Sequence, residues 1–135
     1  MGANADIARR FYDEVWNQRR EATIDELMTA DMVGRMEGGD VAGPAEFKAV
    51  RHEMLQAFPD LRITVEDVLE DGDRVAVRWA VQGTHTGALA GIAATGRAVE
   101  ARGLTWLEFR GGRIVRGWDS WNLGGLILGL RDGSA

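Results

Sequence analysis

The sequence predicts an α+β fold: three N-terminal helices packed against a curved antiparallel sheet that wraps an interior cavity, giving a cone. Apolar residues before Pro59 recur at the three-and-four spacing of amphipathic helices. From Leu61 onward the period changes to the alternation of strands. These strands are about ten residues long and follow one another through tight glycine turns, an arrangement that makes antiparallel neighbours and leaves the helices to cover one face. The chain has 135 residues, the size of one domain, and residues 1–135 read as a single core that buries roughly two-thirds of the unfolded surface.

Ile7, Ala8, Phe11, Tyr12, Val15 and Trp16 form one face of a first helix over about residues 5 to 18, with Arg9, Arg10, Asp13 and Glu14 opposite. Thr23-Ile24-Asp25-Glu26 has the form of a capping box and predicts a short helix through Ala30. Asp31 to Glu37 reads as a short extended piece, broken by Gly38, Gly39 and Asp40. Gly43-Pro44 places proline in the first turn of a third helix with an apolar face of Phe47, Val50, Met54, Leu55 and Phe58, ending before Pro59. His52 lies off that face beside Arg51 and Glu53 and is expected in solvent.

Leu61, Ile63 and Val65, then Val75, Val77, Trp79 and Val81, alternate on either side of an Asp71-Gly72 hairpin signal. Gly87 to Gly96 is small, apolar and uncharged; it reads as a compact flap whose Leu89 and Ile92 either pack plainly or cover a cavity. Val99, Ala101, Gly103, Thr105, Leu107 and Phe109 alternate along the next strand, and Arg110 to Arg113 turns it into the last one. The apolar, glycine-broken tail Leu123 to Leu130 is expected to plug the cone or to pack on a second subunit, with fraying beyond Arg131.

Composition narrows the function. Apolar residues make up 45% and charged residues 27% of the chain, and its net charge of -5 argues against nucleic-acid and anionic-membrane partners. A neutral or small ligand fits better. The absence of cysteine excludes disulfides, thiolate nucleophiles and cysteine-ligated zinc, no metal-ligand spacing accompanies His52, and no metal is expected. The N-terminal residues lack the basic and apolar regions of a secretory signal, and no stretch reaches the roughly 18 apolar residues of a membrane span, so a cytoplasmic protein is expected.

The last strand carries Asp119 between Trp118 and Trp121. Alternation puts Val115, Gly117, Asp119 and Trp121 on one side unless a bulge intervenes. If that side is the interior, burial raises the carboxyl pKa toward the range useful for proton transfer at neutral pH. If it is the rim, Asp119 is solvated or paired with Arg113 or Arg116.

Five stretches bring a family into view: Phe11-Tyr-Asp-Glu-Val-Trp-Asn17, Phe58-Pro-Asp-Leu-Arg-Ile-Thr-Val-Glu-Asp67, Gly72-Asp-Arg-Val-Ala-Val-Arg-Trp79, Gly83-Thr-His-Thr-Gly87 and Gly112-Arg-Ile-Val-Arg-Gly-Trp-Asp119. Through them nearly the whole chain resembles the SnoaL-like polyketide cyclases, within the nuclear-transport-factor-two-like superfamily of cone-shaped α+β domains. The resemblance implies a cofactor-free intramolecular aldol cyclisation of a hydrophobic polyketide-like substrate, with Asp119 as general acid/base. His85, in the Gly-Thr-His motif, is implied to hydrogen-bond the substrate carbonyl, with Gln82 nearby. Arg35 stands where members often have histidine or asparagine; it would bind an enolate or carboxylate oxygen, or pair with Glu37. Trp16, Trp79 and Trp121 are the expected lining among the aromatic residues, which also include Phe47, Phe58 and Trp106. A homodimer is expected by the same analogy. Related folds offer rivals. An epoxide-hydrolase site needs an arginine and second aspartate where this chain has Trp79-Ala80-Val81, and a ketosteroid-isomerase site needs a tyrosine, whereas Tyr12 reads as helix packing. A non-catalytic ligand-binding or dimerisation module of the same fold is the reading of a different class.

Overall fold

The computed structural model describes residues 2–132. Helix α1 (Ala3–Phe11) continues without interruption into a π-helical segment, Tyr12–Asn17, then come α2 (Ala22–Leu27), strands β1 (Met28–Met36) and β2 (Gly39–Ala42), and α3 (Gly43–Ala57). Strands β3 (Arg62–Asp71), β4 (Arg74–Thr84), β5 (Ala98–Arg110) and β6 (Arg113–Trp121) follow, and α4 (Leu123–Asp132) closes the described chain.

The fold is α+β, with helices against a curved, unclosed sheet of six strands in the order β2-β1-β6-β5-β4-β3. The sheet is larger than the alternating region alone implies. What reads as a short extended piece is the nine-residue β1, and Gly38-Gly39-Asp40 begins a hairpin to β2 rather than simply breaking the chain. β1 then lies parallel to β6, with Gly34 opposite Gly117 and Arg35 opposite Trp118, while the other strand pairs are antiparallel.

Local chemistry explains the departures at the second helix. Thr23 sits inside α2 rather than capping it, fully buried, and its hydroxyl donates to Glu14 at 2.6 Å. Glu26 reaches Arg10 and Arg20 instead of a backbone amide. The helix ends at Leu27, not Ala30, because Met28 and Thr29 already belong to β1.

The π-helical widening leaves backbone carbonyls that the next elements satisfy. Arg51 on α3, buried, donates from Nε to the Val15 carbonyl at 3.0 Å, and Arg19 donates to the carbonyls of Trp16, Leu61 and Pro59. This widened turn holds Tyr12 and Trp16 against the sheet. His52, as expected, is exposed. The β3–β4 turn comes out one residue later than the Asp71-Gly72 signal: Asp71 pairs with Arg74, and Gly72 adopts a positive φ of 63°.

On β6 a bulge interrupts the alternation. Leu107 faces Gly117 and Phe109 faces Ile114, so Val115 is the extra residue, and Ile114 returns to the interior with Gly117, Asp119 and Trp121. The tail forms a helix: Leu123 and Ile127 reach the interior, Leu130 is buried, and Leu128 stays exposed. It plugs the cone. Arg131 and Asp132 complete α4, so of the segment expected to fray only residues 133–135 remain, and these lie outside the described residues.

Candidate active site

The concave face of the sheet and the helices enclose a cavity of about 700 Å³, within the range of drug-sized ligand pockets. Strand register builds its floor. In one row Val77 on β4 faces Thr105 on β5, which faces Asp119 on β6; in the next, Trp79 faces Gly103, which faces Trp121. Phe11, Tyr12 and Trp16 supply one wall, Phe47 and Met54 of α3 another, and the α4 residues Leu123 and Ile127 a third. The flap contributes Ala88, Leu89 and Ala90 to the lining, and Leu89 and Ile92 pair to each other through backbone hydrogen bonds of 3.0 and 2.8 Å. The flap therefore covers the cavity and is itself partly packed.

Asp119 is partly buried in this lining. Its Oδ1 accepts a hydrogen bond from the buried Thr105 hydroxyl at 2.7 Å. The same hydroxyl accepts from Trp79 Nε1 at 2.9 Å. Burial pushes the Asp119 carboxyl above its ordinary pKa, and the negative charge of Glu37 pushes the same way; Thr105 opposes both by stabilising the carboxylate. Tyr12 borders this group. Its phenol interacts with Thr105, and burial, then the nearby Asp119 charge, raise its pKa so far that it stays neutral.

The structure brings together Trp16, Arg35, Trp79, Asp119 and Trp121 around one cavity. Arg35 lies at the rim, where it pairs with Asp40 across the β1–β2 hairpin rather than with Glu37. Glu37 is instead left at the cavity as an acidic neighbour of Asp119.

The structure does not bring His85 and Gln82 there. Gln82 follows Val81 on β4, and alternation turns it to the exposed outer face. His85 is fully buried at the base of the flap, where it packs on Phe58 with ring centroids 5.6 Å apart. Its Nδ1 accepts from the Thr95 amide at 3.2 Å and bonds the Thr95 hydroxyl at 2.9 Å, while the His85 amide donates to Arg97 and its carbonyl accepts from Gly96. That network ties the two ends of the flap together, which is a positional role. Trp106 faces out of the sheet, exposed, and Phe58 serves the His85 packing.

Tyr12 and Thr105 are the site residues that sequence reasoning missed. The signal for Thr105 was its place on the same alternating face as Leu107; for Tyr12 it was the helical spacing it shares with Trp16. Among the described residues no cluster of acidic residues and histidines is arranged to hold a metal.

The chain has the cone-shaped α+β fold of nuclear-transport-factor-two-like proteins, with the partly buried Asp119 carboxyl in a largely apolar cavity. The profile of the SnoaL-like polyketide cyclases matches residues 6–128, and the chain belongs to that family. No curated protein matches the sequence. Among solved structures, AclR, a candidate hydroxylase from Streptomyces galilaeus, is similar at 28% identity and a TM-score of 0.84 over 96% of each chain. IdmH, a candidate polyketide cyclase from Streptomyces antibioticus, is similar at 28% identity and a TM-score of 0.82, over 96% of this chain and 98% of its own. A candidate SnoaL-like polyketide cyclase from Jannaschia sp. CCS1 superposes with a TM-score of 0.88 over 95% of this chain and 91% of its own, and at 22% identity it speaks for the fold alone. Among the described residues no helix is long and apolar enough to cross a membrane.

Proposed function

We propose that this chain is a cofactor-independent acid/base enzyme of the polyketide-cyclase type, closing a ring in a hydrophobic polyketide-like molecule by intramolecular aldol addition. The observation that carries the reading is Asp119: a carboxyl raised in pKa by burial, in an apolar cavity of about 700 Å³ walled by tryptophans. As carboxylate, Asp119 takes a proton from the carbon between two carbonyls. The resulting enolate attacks a third carbonyl of the same molecule, and the protonated Asp119 returns its proton to the new alkoxide. Substrate and product are isomers, so no redox partner enters. Desolvation favours the transfer, because a carboxyl raised toward neutrality differs less in basicity from its carbon acid. Arg35, tied to Asp40, and Glu37 set a polar rim that selects which end of an elongated substrate enters.

The outer sheet face supports a homodimer. Leu69, Leu104, Trp106 and Trp118 are exposed there, and Trp106 and Trp118 are direct cross-strand partners. A contiguous apolar patch of that kind is best covered by a second copy.

The test is a thermal-shift titration of wild type and Asp119→Asn with polycyclic phenols, anthraquinone-like compounds and small β-diketones from pH 5 to 9. A ligand at 100 times its Kd adds about 2.7 kcal/mol, or several degrees. Stabilisation by polycycles with a pH profile that disappears in Asp119→Asn supports the reading. Binding whose pH profile is the same in both proteins replaces it with a non-catalytic binding module.

A further inference from the structure

We propose that Trp79 and Thr105 form a positioning relay that fixes which oxygen of Asp119 exchanges protons: Trp79 donates to Thr105, Thr105 donates to Asp119 Oδ1, and Oδ2 is left as the reacting oxygen. The inference deepens the acid/base reading of Asp119 and rests on it for its catalytic meaning, but the relay itself is a property of the free protein.

The direction of each hydrogen bond follows from the donor inventory. An indole N–H can only donate, so the 2.9 Å contact between Trp79 Nε1 and Thr105 Oγ1 makes the hydroxyl oxygen an acceptor there. A hydroxyl has one hydrogen. With Trp79 on one lone pair, that hydrogen is free to point along the 2.7 Å contact to Asp119 Oδ1. The hydroxyl thus accepts from Trp79 and spends its one hydrogen on Asp119.

The relay is held rigidly. Thr105 is β-branched on a central strand, 4% exposed, and directly opposite Asp119 in register. Trp79 is clamped on two sides. Its six-membered ring lies over Gly103, where a Cβ would meet Cη2 at 2.7 Å, and it stacks edge-on against Trp121 at 6.1 Å and 69°. No rotation of the indole keeps those contacts and releases Thr105.

A proton placed on Oδ1 would face the Thr105 hydrogen across 2.7 Å. Protonation is therefore directed to Oδ2, and in the carboxylate the basic lone pairs offered to the cavity are those of Oδ2. The relay thus sets the direction of proton transfer and favours the carboxylate against the effect of burial. Thr105 and Trp79 are positioning residues.

The experiment is a titration of the Asp119 side-chain carbon in protein carrying ¹³C-labelled aspartate, without any substrate, using Asp119→Asn to assign the resonance. Thr105→Val removes the donor at nearly constant volume and is expected to move the Asp119 midpoint upward by about one pH unit. Trp79→Phe keeps the hydroxyl but frees it to turn away, and a smaller upward move is expected. Thr105→Ser restores the donor and is expected to titrate within about 0.3 pH unit of wild type, a rescue that a merely structural role would not give. An Asp119 midpoint unchanged in both Thr105→Val and Trp79→Phe overturns the relay, and Trp79→Phe alone decides if Thr105→Val fails to fold. The acid/base reading fails separately, through catalysis that survives Asp119→Asn with the relay titrations intact.

Discussion

Gly103→Ala probes the packing on which the site depends. The added methyl would sit 2.7 Å from Trp79 Cη2 and 2.9 Å from Trp121 Cβ, closer than real carbon contacts come. Neither neighbour is the loose end of a flexible chain: one is an aromatic ring, the other the root of a second ring. The nearest atom is Trp79 Cζ2, and restoring an ordinary 3.4 Å contact to it requires the ring to retreat by about 1 Å. That carries Nε1 from 2.9 Å toward the limit of hydrogen bonding to Thr105. Overpacking costs about 1–3 kcal/mol, loss of the Trp79–Thr105 bond adds about 1, and the gain of alanine over glycine in a strand returns about 0.5. The net is roughly 2.5 kcal/mol, a fall in Tm of about 9 °C for a domain of this size. Thermal denaturation reads the loss, and near-ultraviolet circular dichroism reads the Trp79–Trp121 geometry. An alanine variant with wild-type Tm and an unchanged tryptophan signal would refute the packing argument, and with it the claim that Trp79 is immovable.

Three further outcomes are expected. Asp119 has a folded-state pKa above its ordinary 3.8, so the fold binds its proton more tightly than the unfolded chain does; its contribution to stability is greatest at low pH and declines as pH rises through the folded pKa. Asp119→Asn removes that decline. The variant should be more stable than wild type at pH 7, by about 1 kcal/mol and a few degrees, with the difference shrinking toward pH 4 when Tm is followed across pH. His85→Asn can still accept the Thr95 amide and should keep the flap closed, whereas His85→Leu leaves that amide unpaired. His85→Leu should therefore lose about 1–3 kcal/mol and become sensitive to proteolysis within residues 87–96, seen by mass spectrometry of the fragments. Trp118→Glu places a charge on the exposed outer sheet face and should yield a monomer by light scattering while leaving Tm nearly unchanged.

Most of the fold was legible because β4, β5 and β6 carry their own alternation, and because Phe11, Val15 and Trp16 mark the first helix. β1 was not legible as a nine-residue strand. Its residues alternate poorly, and its longest-lasting partner, β6, is distant in sequence, so the parallel pairing leaves no local trace. The bulge at Val115 is likewise set by register with β5. Thr23 was misread because a capping motif describes only local bonds, and Glu14, nine residues earlier, makes the better one.

At the site, alternation grouped Asp119 with Gly117 and Trp121 but left open which face was interior; in the structure that group faces the cavity, and the same alternation turns Gln82 outward, since Trp79 and Val81 face in. The motif around His85 pointed to the right region, but whether its ring faces the cavity or the flap base depends on the loop's path, which no periodicity encodes. Tyr12 shares a helical face with Trp16. That this face borders a cavity, not solid packing, is decided by tertiary structure.

The central claim is that Asp119 moves protons at carbon within this cavity. Its most direct test is the rate at which the protein exchanges deuterium from solvent into the carbon next to the carbonyl of a bicyclic aryl ketone, followed by proton NMR for wild type and Asp119→Asn. The account predicts exchange well above the buffer rate in wild type, with a rate that follows ionisation of a single group, and a fall of at least 10²-fold in Asp119→Asn. Equal exchange by both proteins at every pH, with the ketone bound by both, would contradict it.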